Sequence, residues 1–231
     1  MFNDLSIKSN NLPITIPVFP LSGALLLPGI ELPLNIFEPR YVNMVNDALA
    51  EKKLIGLVQP EQKFYSKLIK SKPLYSIGCL GKIKAFNETE DGRYLIVLSG
   101  VSRFELGEEI ASTRGYRRFK VSYDNFKDDF VIKKLREEFK LDLSKADLVN
   151  KIDSYLKGYE NYNGASSLSE LLNVESAFLV DFLCSYLPFS AQEKQIFIES
   201  KTIEERAKNL YKVLGLAEAG TKSNISNLTV H

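Results

Sequence analysis

Serine, lysine, cysteine, histidine and the carboxylates are the side chains through which this chain could do covalent or acid–base chemistry. Their spacing favours none of it. The single histidine is His231, the last of 231 residues. A terminal residue is ordinarily mobile, so Ser-His-Asp, Cys-His and imidazole–metal sites lack a positioned imidazole. No Gly-x-Ser-x-Gly elbow occurs. Serine and lysine are abundant, but the buried lysine of a Ser-Lys dyad leaves no local mark by which to find it. Cys79 and Cys184 lie far apart in apolar stretches without a C-x-x-C pair, and read as buried free thiols of a reducing compartment rather than a disulfide, redox or zinc site. Gly78-Cys79-Leu80-Gly81-Lys82 holds two residues between its glycines where a phosphate-binding loop needs four, and sits in a strand pattern where glycine marks a bulge or close approach. Glu108-Glu109, Asp128-Asp129 and Glu204-Glu205 are carboxylate pairs, but sequence neighbours point different ways and read as solvated faces rather than an opposed acid–base couple. No catalytic residue, metal ligand or cofactor is expected.

Binding is the other possibility. With 30 basic and 29 acidic residues the net charge is +1, which offers no electrostatic footprint for nucleic acid or an anionic membrane. Two local groups, Lys67/Lys70/Lys72 and Arg114/Arg117/Arg118/Lys120, are basic, and Tyr116 and Phe119 interleave with the second as in single-strand binders. A strand with solvent-facing cations and core-facing aromatics explains that second pattern better. The apolar candidates are Leu25-Leu26-Leu27, in a loop between Gly23 and Pro28-Gly29, and Phe64-Tyr65, among polar residues. Leucines in a loop are either tucked under the fold or presented to a partner. These five residues are the candidate peptide-contacting set.

The elements that must position them change period along the chain. Up to about Tyr123 the pattern is β. Ile14–Phe19 is a strand, expected at an edge or bulge because Pro17 lacks an N–H. Leu32–Phe37 follows, then Leu54–Gln59, continuously apolar and buried on both faces. Ile77–Phe86 and Tyr94–Leu98 flank Asp91-Gly92, a hairpin turn. Ser102–Leu106 and Arg117–Tyr123 alternate as two more strands. One early helix opens at Glu38-Pro39-Arg40, with proline in its first turn and Tyr41, Val45, Ala48 and Leu49 facing the sheet. Glu38 is expected to accept N–H bonds at the helix start, and Arg40 to pair with a carboxylate. After Asp124 the period is helical. Leu148, Ile152, Tyr155 and Tyr159 share a face. Ser167–Glu170, Ser190–Glu193 and Thr202–Glu205 fit the capping-box pattern. Ser176–Leu187 is apolar almost all round and reads as buried on most sides, ending at Pro188. Ile203, Ala207, Leu210, Leu214 and Ala217 form a one-sided stripe. The divisions expected are a flexible start over 1–11, a β domain over 12–123, a helical bundle packed on it over 124–218, and a disordered tail over 219–231. No run of about 18 apolar residues and no signal peptide occurs, so a cytoplasmic location is expected.

Ile16-Pro-Val-Phe-Pro20-Leu21, Leu27-Pro28-Gly29, Leu32-Pro-Leu34, Phe37-Glu38-Pro39-Arg40-Tyr41, Gly78, Asp91-Gly92 and Gly100-Val-Ser-Arg103-Phe104 together resemble the amino-terminal, substrate-binding domain of Lon proteases, in that family's order and spacing over roughly Leu12 to Tyr123. Pro188-Phe-Ser190 with Glu193-Lys-Gln195 also looks like small bacterial proteins made of this domain alone. The resemblance implies an α+β fold: a mixed, PUA-like β pseudobarrel followed by an α-helical bundle. It implies capture of unfolded or extended polypeptides, as in protein quality control, without the ATPase motor or Ser-Lys protease, and it transfers no catalytic residue. An adaptor for one folded partner protein and, behind it, RNA binding are the alternatives. The motif residues Pro20, Pro28, Gly29, Glu38, Pro39, Arg40, Tyr41, Gly100, Arg103 and Phe104 read as architecture.

Overall fold

A computed structural model describes residues 12–61, 73–141, 144–159 and 165–218. The segments 1–11 and 219–231, and with them the expected flexible start and tail, lie outside the described residues.

The first half is β1 (Thr15–Pro20), β2 (Glu31–Ile36), helix α1 (Pro39–Ala50), β3 (Leu54–Val58), β4 (Ile77–Glu88), β5 (Tyr94–Ile110) and β6 (Arg117–Ser122). The sheet order is β2-β5-β4-β3-β1-β6, and β6 also pairs back to β5. Strands β5, β4, β3, β1 and β6 therefore close a barrel, while β2 lies outside the closure, bonded only to the first part of β5. Closure removes strand edges, which would otherwise offer unpaired N–H and C=O groups.

Two strand expectations are corrected. Tyr94–Leu98 and Ser102–Leu106 are one strand of 17 residues, long enough to serve β2, β4 and β6 in turn. Gly100 lets the loop after β1 cross this strand at contact distance, since a Cβ there would meet the Leu27 carbonyl oxygen at 2.0 Å. β1 is not an edge: it runs between β3 and β6. Pro17 is tolerated because pairing with β3 begins one residue later, at Val18, so its missing N–H falls at the end of that ladder. The edge strand is β2, and it too carries a proline, Pro33. The Asp91-Gly92 turn is as read, with Gly92 at φ 77°. α1 begins at Pro39 and buries Tyr41, Val45 and Ala48, with Leu49 partly buried against the same core.

The second half is a 3-10 segment (Asp124–Val131), α2 (Ile132–Glu138), α3 (Lys145–Leu156), a second 3-10 segment (Ala165–Asn173), α4 (Ser176–Tyr186), α5 (Ala191–Glu199) and α6 (Ile203–Glu218). Of the three capping signals, Ser190/Glu193 forms the full reciprocal box. Thr202 forms half of one: its hydroxyl accepts from the Glu205 N–H, but the Glu205 carboxylate accepts from the Lys201 N–H. Ser167 lies inside the second 3-10 segment instead of before a helix. α4 is capped by Glu175, whose carboxylate accepts from the Ala177 and Phe178 N–H groups.

One core spans both halves. It joins Leu25, Leu26, Leu27, Ile55, Leu57 and Tyr94 of the β region to Leu148, Leu179, Leu183, Phe197 and Leu210 of the helices. A second cluster, including Ile16, Leu80, Phe104 and Phe119, fills the barrel. Cys79 and Cys184 are separate, buried free thiols.

Burial also sets the alkaline limit of the fold. It raises the Cys79 and Cys184 thiols and the Tyr123 and Tyr155 phenols, and it raises Tyr116 to about 12 with help from Asp47. These acids are held neutral in the folded chain. Their contribution is complete below the unfolded values of 9.0 and 10.0 and is lost as pH rises through the folded ones. The expected result is a contribution from these groups that is flat up to about pH 9 and falls steeply above it, with the buried phenols ionising only on unfolding. Ultraviolet titration alongside circular dichroism checks this; all the phenols ionising together near pH 10 with the fold intact would contradict it.

Candidate functional site

The loop carrying Leu25–Leu27 turns where the sequence places its turns, with Gly23 at φ 73° and Gly29 at φ 74°. Its leucines point inward: Leu25, Leu26 and Leu27 are 2%, 1% and 0% exposed. This corrects the expectation that they meet a partner. Each buried leucine gains about 1.5–3 kcal/mol over an exposed one, and α5 supplies the surface to bury them. Leu25 and Leu26 sit at the joint between barrel and helices, beside Leu57, Gln59, Gln195 and Ile198, and Leu27 lies against Gly100 of β5. Gln59 pins the joint by donating to the Ala191 carbonyl at 2.9 Å and accepting from the Gly23 N–H at 3.1 Å. Lys194, the middle residue of Glu193-Lys-Gln195, donates to the Gly23 and Ser185 carbonyls. Phe64 and Tyr65 lie outside the described residues.

The remaining motif residues are architectural in specific ways. Pro20 ends β1, and Pro28 accepts from Arg136 through its carbonyl. Glu38 does not cap α1 with its side chain; its carboxylate binds Arg40 instead, at 2.8 Å, and the Arg40 guanidinium lies over the Tyr41 ring. Phe104 is fully buried in the barrel. Arg103 is buried too, and its guanidinium grips Asp129 and the carbonyls of Ile198, Ser200 and Lys201. The Asp128-Asp129 pair is therefore only half solvated: Asp129 is 3% exposed, a correction that only a partner 26 residues away explains.

The basic strand offers little to phosphate. Arg114 pairs with Asp47, Arg117 with Glu109 and Lys120 with Glu108. Binding nucleic acid there would mean breaking these pairs. Among the described residues no cluster of three or more His, Cys, Asp or Glu is placed to hold a metal ion, and no helix is long and apolar enough to cross a membrane. A cleft of about 150 Å³ between α2 and the start of α6, lined by Leu135, Phe139 and Ile203 with Glu138 and Glu204, is smaller than the roughly 300 Å³ at which small-molecule sites begin.

The feature that sequence reasoning misses is an exposed aromatic row. Phe178, Phe182 and Tyr186 recur every fourth residue on α4 and stack, with ring centroids 6.2 and 4.6 Å apart. Phe178 and Tyr186 are exposed and Phe182 is partly so. The helix is otherwise covered on most sides, as expected: seven of its 11 residues are buried, and this row is the part left open. The i, i+4, i+8 spacing is visible in the sequence, but nothing there says that no layer covers the row. The Tyr186 hydroxyl donates to the Glu31 carbonyl, which brings the row against the outer edge of β2. Beyond it, Pro33 is exposed on β2, Leu95 is exposed on β5 opposite Asn35, and Phe37, just past the strand, is 65% exposed. Exposed apolar residues thus lie on α4 and, interspersed with Glu31 and Asn35, along the six residues of the β2 margin, about 20 Å of strand.

Residues 15–215 match the family model described as the ATP-dependent protease La (LON) substrate-binding domain. A Lon protease of Parabacteroides distasonis is 30% identical over 203 residues, and one of Flavobacterium johnsoniae is 26% identical over 208; each alignment covers 87% of this chain and 24% of the relative. The chain thus spans about a quarter of the length of the curated relatives it matches. Two solved structures share the fold. A Lon N-terminal domain protein from Xanthomonas campestris has TM-score 0.54 at 20% identity, covering 86% of this chain and 97% of its own. The N-terminal domain of a Mycobacterium avium complex Lon protease has TM-score 0.56 at 15% identity, covering 87% and 98%.

Proposed function

The chain belongs to the Lon substrate-binding-domain family, and on that premise we propose that it is a non-enzymatic module that captures unfolded or extended polypeptide. The observation that carries the reading is the partly exposed Phe178–Phe182–Tyr186 row, with exposed Pro33, Leu95 and Phe37 at the β2 margin it is bonded to. Exposed, contiguous aromatic surface is what a non-specific peptide binder needs, because rings supply large contact area at small entropic cost. Tyr186 is a suitable anchor: its ring faces solvent while its hydroxyl is tied to the Glu31 carbonyl, so little rotamer freedom remains to be lost on binding.

A permanently unfolded, reduced and carboxymethylated protein is the probe. The full chain is expected to bind it with micromolar affinity, and Phe178→Ser with Tyr186→Ser to weaken binding by about tenfold, the loss of roughly 1.4 kcal/mol. The thermal unfolding temperature should fall with the loss of two ring stacks and the Glu31 bond, so binding is compared at a temperature where both proteins are folded. Fluorescence anisotropy measures the first and calorimetry the second; equal binding by a stably folded double variant would remove the aromatic row from the proposal.

A further inference from the structure

The sheet outside the barrel has two margins, and they are guarded differently. At β2, the Gly100 N–H donates to the Ile30 carbonyl, so alternation turns the backbone groups of Leu32, Leu34 and Ile36 toward β5 and those of Glu31, Pro33 and Asn35 outward. Of these outward groups, the Glu31 carbonyl is taken by Tyr186 and Pro33 has no N–H, so this margin is a poor template for another strand.

The other margin is β4 past the point where β3 stops. β3 pairs with β4 over Cys79–Lys82, and the last bond on that side runs from the Ile83 N–H to the Lys53 carbonyl. Lys84 through Glu88 are all exposed and pair only with β5 among the described residues. The Thr89 N–H donates to Arg93, so Asn87 and Ala85 exchange bonds with Leu95 and Val97, and the N–H and C=O groups of Phe86 and Glu88 face away from the sheet. They sit two residues apart, the spacing an added strand requires, and no proline blocks them. The Phe86 ring, packed edge-on against Tyr94 at 4.9 Å, keeps an exposed side for a neighbour.

Charge gives this margin a direction. Lys52 and Lys53 lie at its barrel end, exposed and with no ion-pair partner among the described residues. Glu88 and Glu90 stand at the hairpin end, likewise without one. An antiparallel strand would start at the glutamates and finish at the lysines. We infer that, on the polypeptide-capture reading above, the Phe86–Glu88 margin of β4 accepts an extended polypeptide segment as an antiparallel added strand, with the acidic, C-terminal end of that segment at Lys52 and Lys53.

The test uses the full chain and a short peptide of alternating valine and threonine with a lysine at its N-terminus and two aspartates before a free C-terminal carboxylate. Binding is read by anisotropy, and the Phe86 and Glu88 amides by NMR hydrogen exchange. The expected result is slowed exchange at those two amides, with Lys52→Glu weakening the peptide by about tenfold. Methylating the peptide amides at every second position weakens it in one register only, by about three- to tenfold per lost bond. Placing the aspartates at the N-terminus and amidating the C-terminus weakens it as Lys52→Glu does. A peptide that binds with both amides exchanging freely, or equally well in either charge orientation, overturns the inference while leaving capture intact. Failure to bind both this peptide and the permanently unfolded protein overturns capture itself.

Discussion

Asp181→Ala is expected to cost about 3–5 kcal/mol, enough to bring a domain of ordinary stability near its unfolding threshold. Asp181 is fully buried on α4, and its carboxylate accepts from Arg206 of α6 and from Arg136 of α2. Arg206 is buried as well and also donates to the Phe197 carbonyl, while Arg136 reaches the Pro28 carbonyl in the loop after β1. One carboxylate thus ties three helices to the barrel. Removing it strands two guanidinium charges, one without access to water. An amide in its place would keep the shape but not the charge, so Asp181→Asn is expected to lose nearly as much. Replacing Arg136, Asp181 and Arg206 together by apolar residues of similar volume should restore most of the loss, because the penalty belongs to the unpaired charges. Urea unfolding of the variants decides it: a single Asp181→Ala costing under about 1 kcal/mol would mean that water reaches the guanidiniums.

The signal for Asp181 is present in the sequence without its meaning. Ser176–Leu187 is apolar almost all round, and Asp181 is its one charged residue. An acid in such a helix must find a cation, but the cations stand 45 and 25 residues away. Arg103 is the same case: its place beside Gly100 and Phe104 marks it as structural, yet its partner Asp129 looks like half of a solvated pair. Local chemistry is legible. Pro39 opens α1, Asp91-Gly92 turns the hairpin, and Ser190 with Glu193 caps α5, because each is decided within a few residues. What a side chain faces across the molecule is not. Gly23 and Gly29 correctly bound the leucine loop, but the inward turn of Leu25–Leu27 depends on α5 closing over it from more than 160 residues downstream. The aromatic row on α4 departs in the opposite sense: its residue types suggest burial, and only the arrangement of the other helices leaves Phe178 and Tyr186 partly open to solvent.

Arg103→Ala is expected to be of similar size and to act on the joint itself. The guanidinium runs from β5 to Asp129 in the 3-10 segment and to the carbonyls of Ile198, Ser200 and Lys201 where α5 turns into α6. Without it Asp129 keeps only the Arg103 backbone N–H, at 2.8 Å, and buried carbonyls lose their donor. An unpaired buried carboxylate costs about 3–5 kcal/mol, and each orphaned carbonyl about 1–3 kcal/mol less whatever water enters to satisfy it. Arg103→Lys should recover little. An ammonium presents three donors at one point, whereas this site uses a planar fork spread over four residues. The location of the damage distinguishes this variant from a general loss of core. The barrel keeps its own cluster around Phe104 and Leu80, so helical amides should lose exchange protection before those of β3 and β4. Uniform loss of protection across both halves would show instead that the shared core through Leu25–Leu27, and not the Arg103 fork, couples helices to barrel.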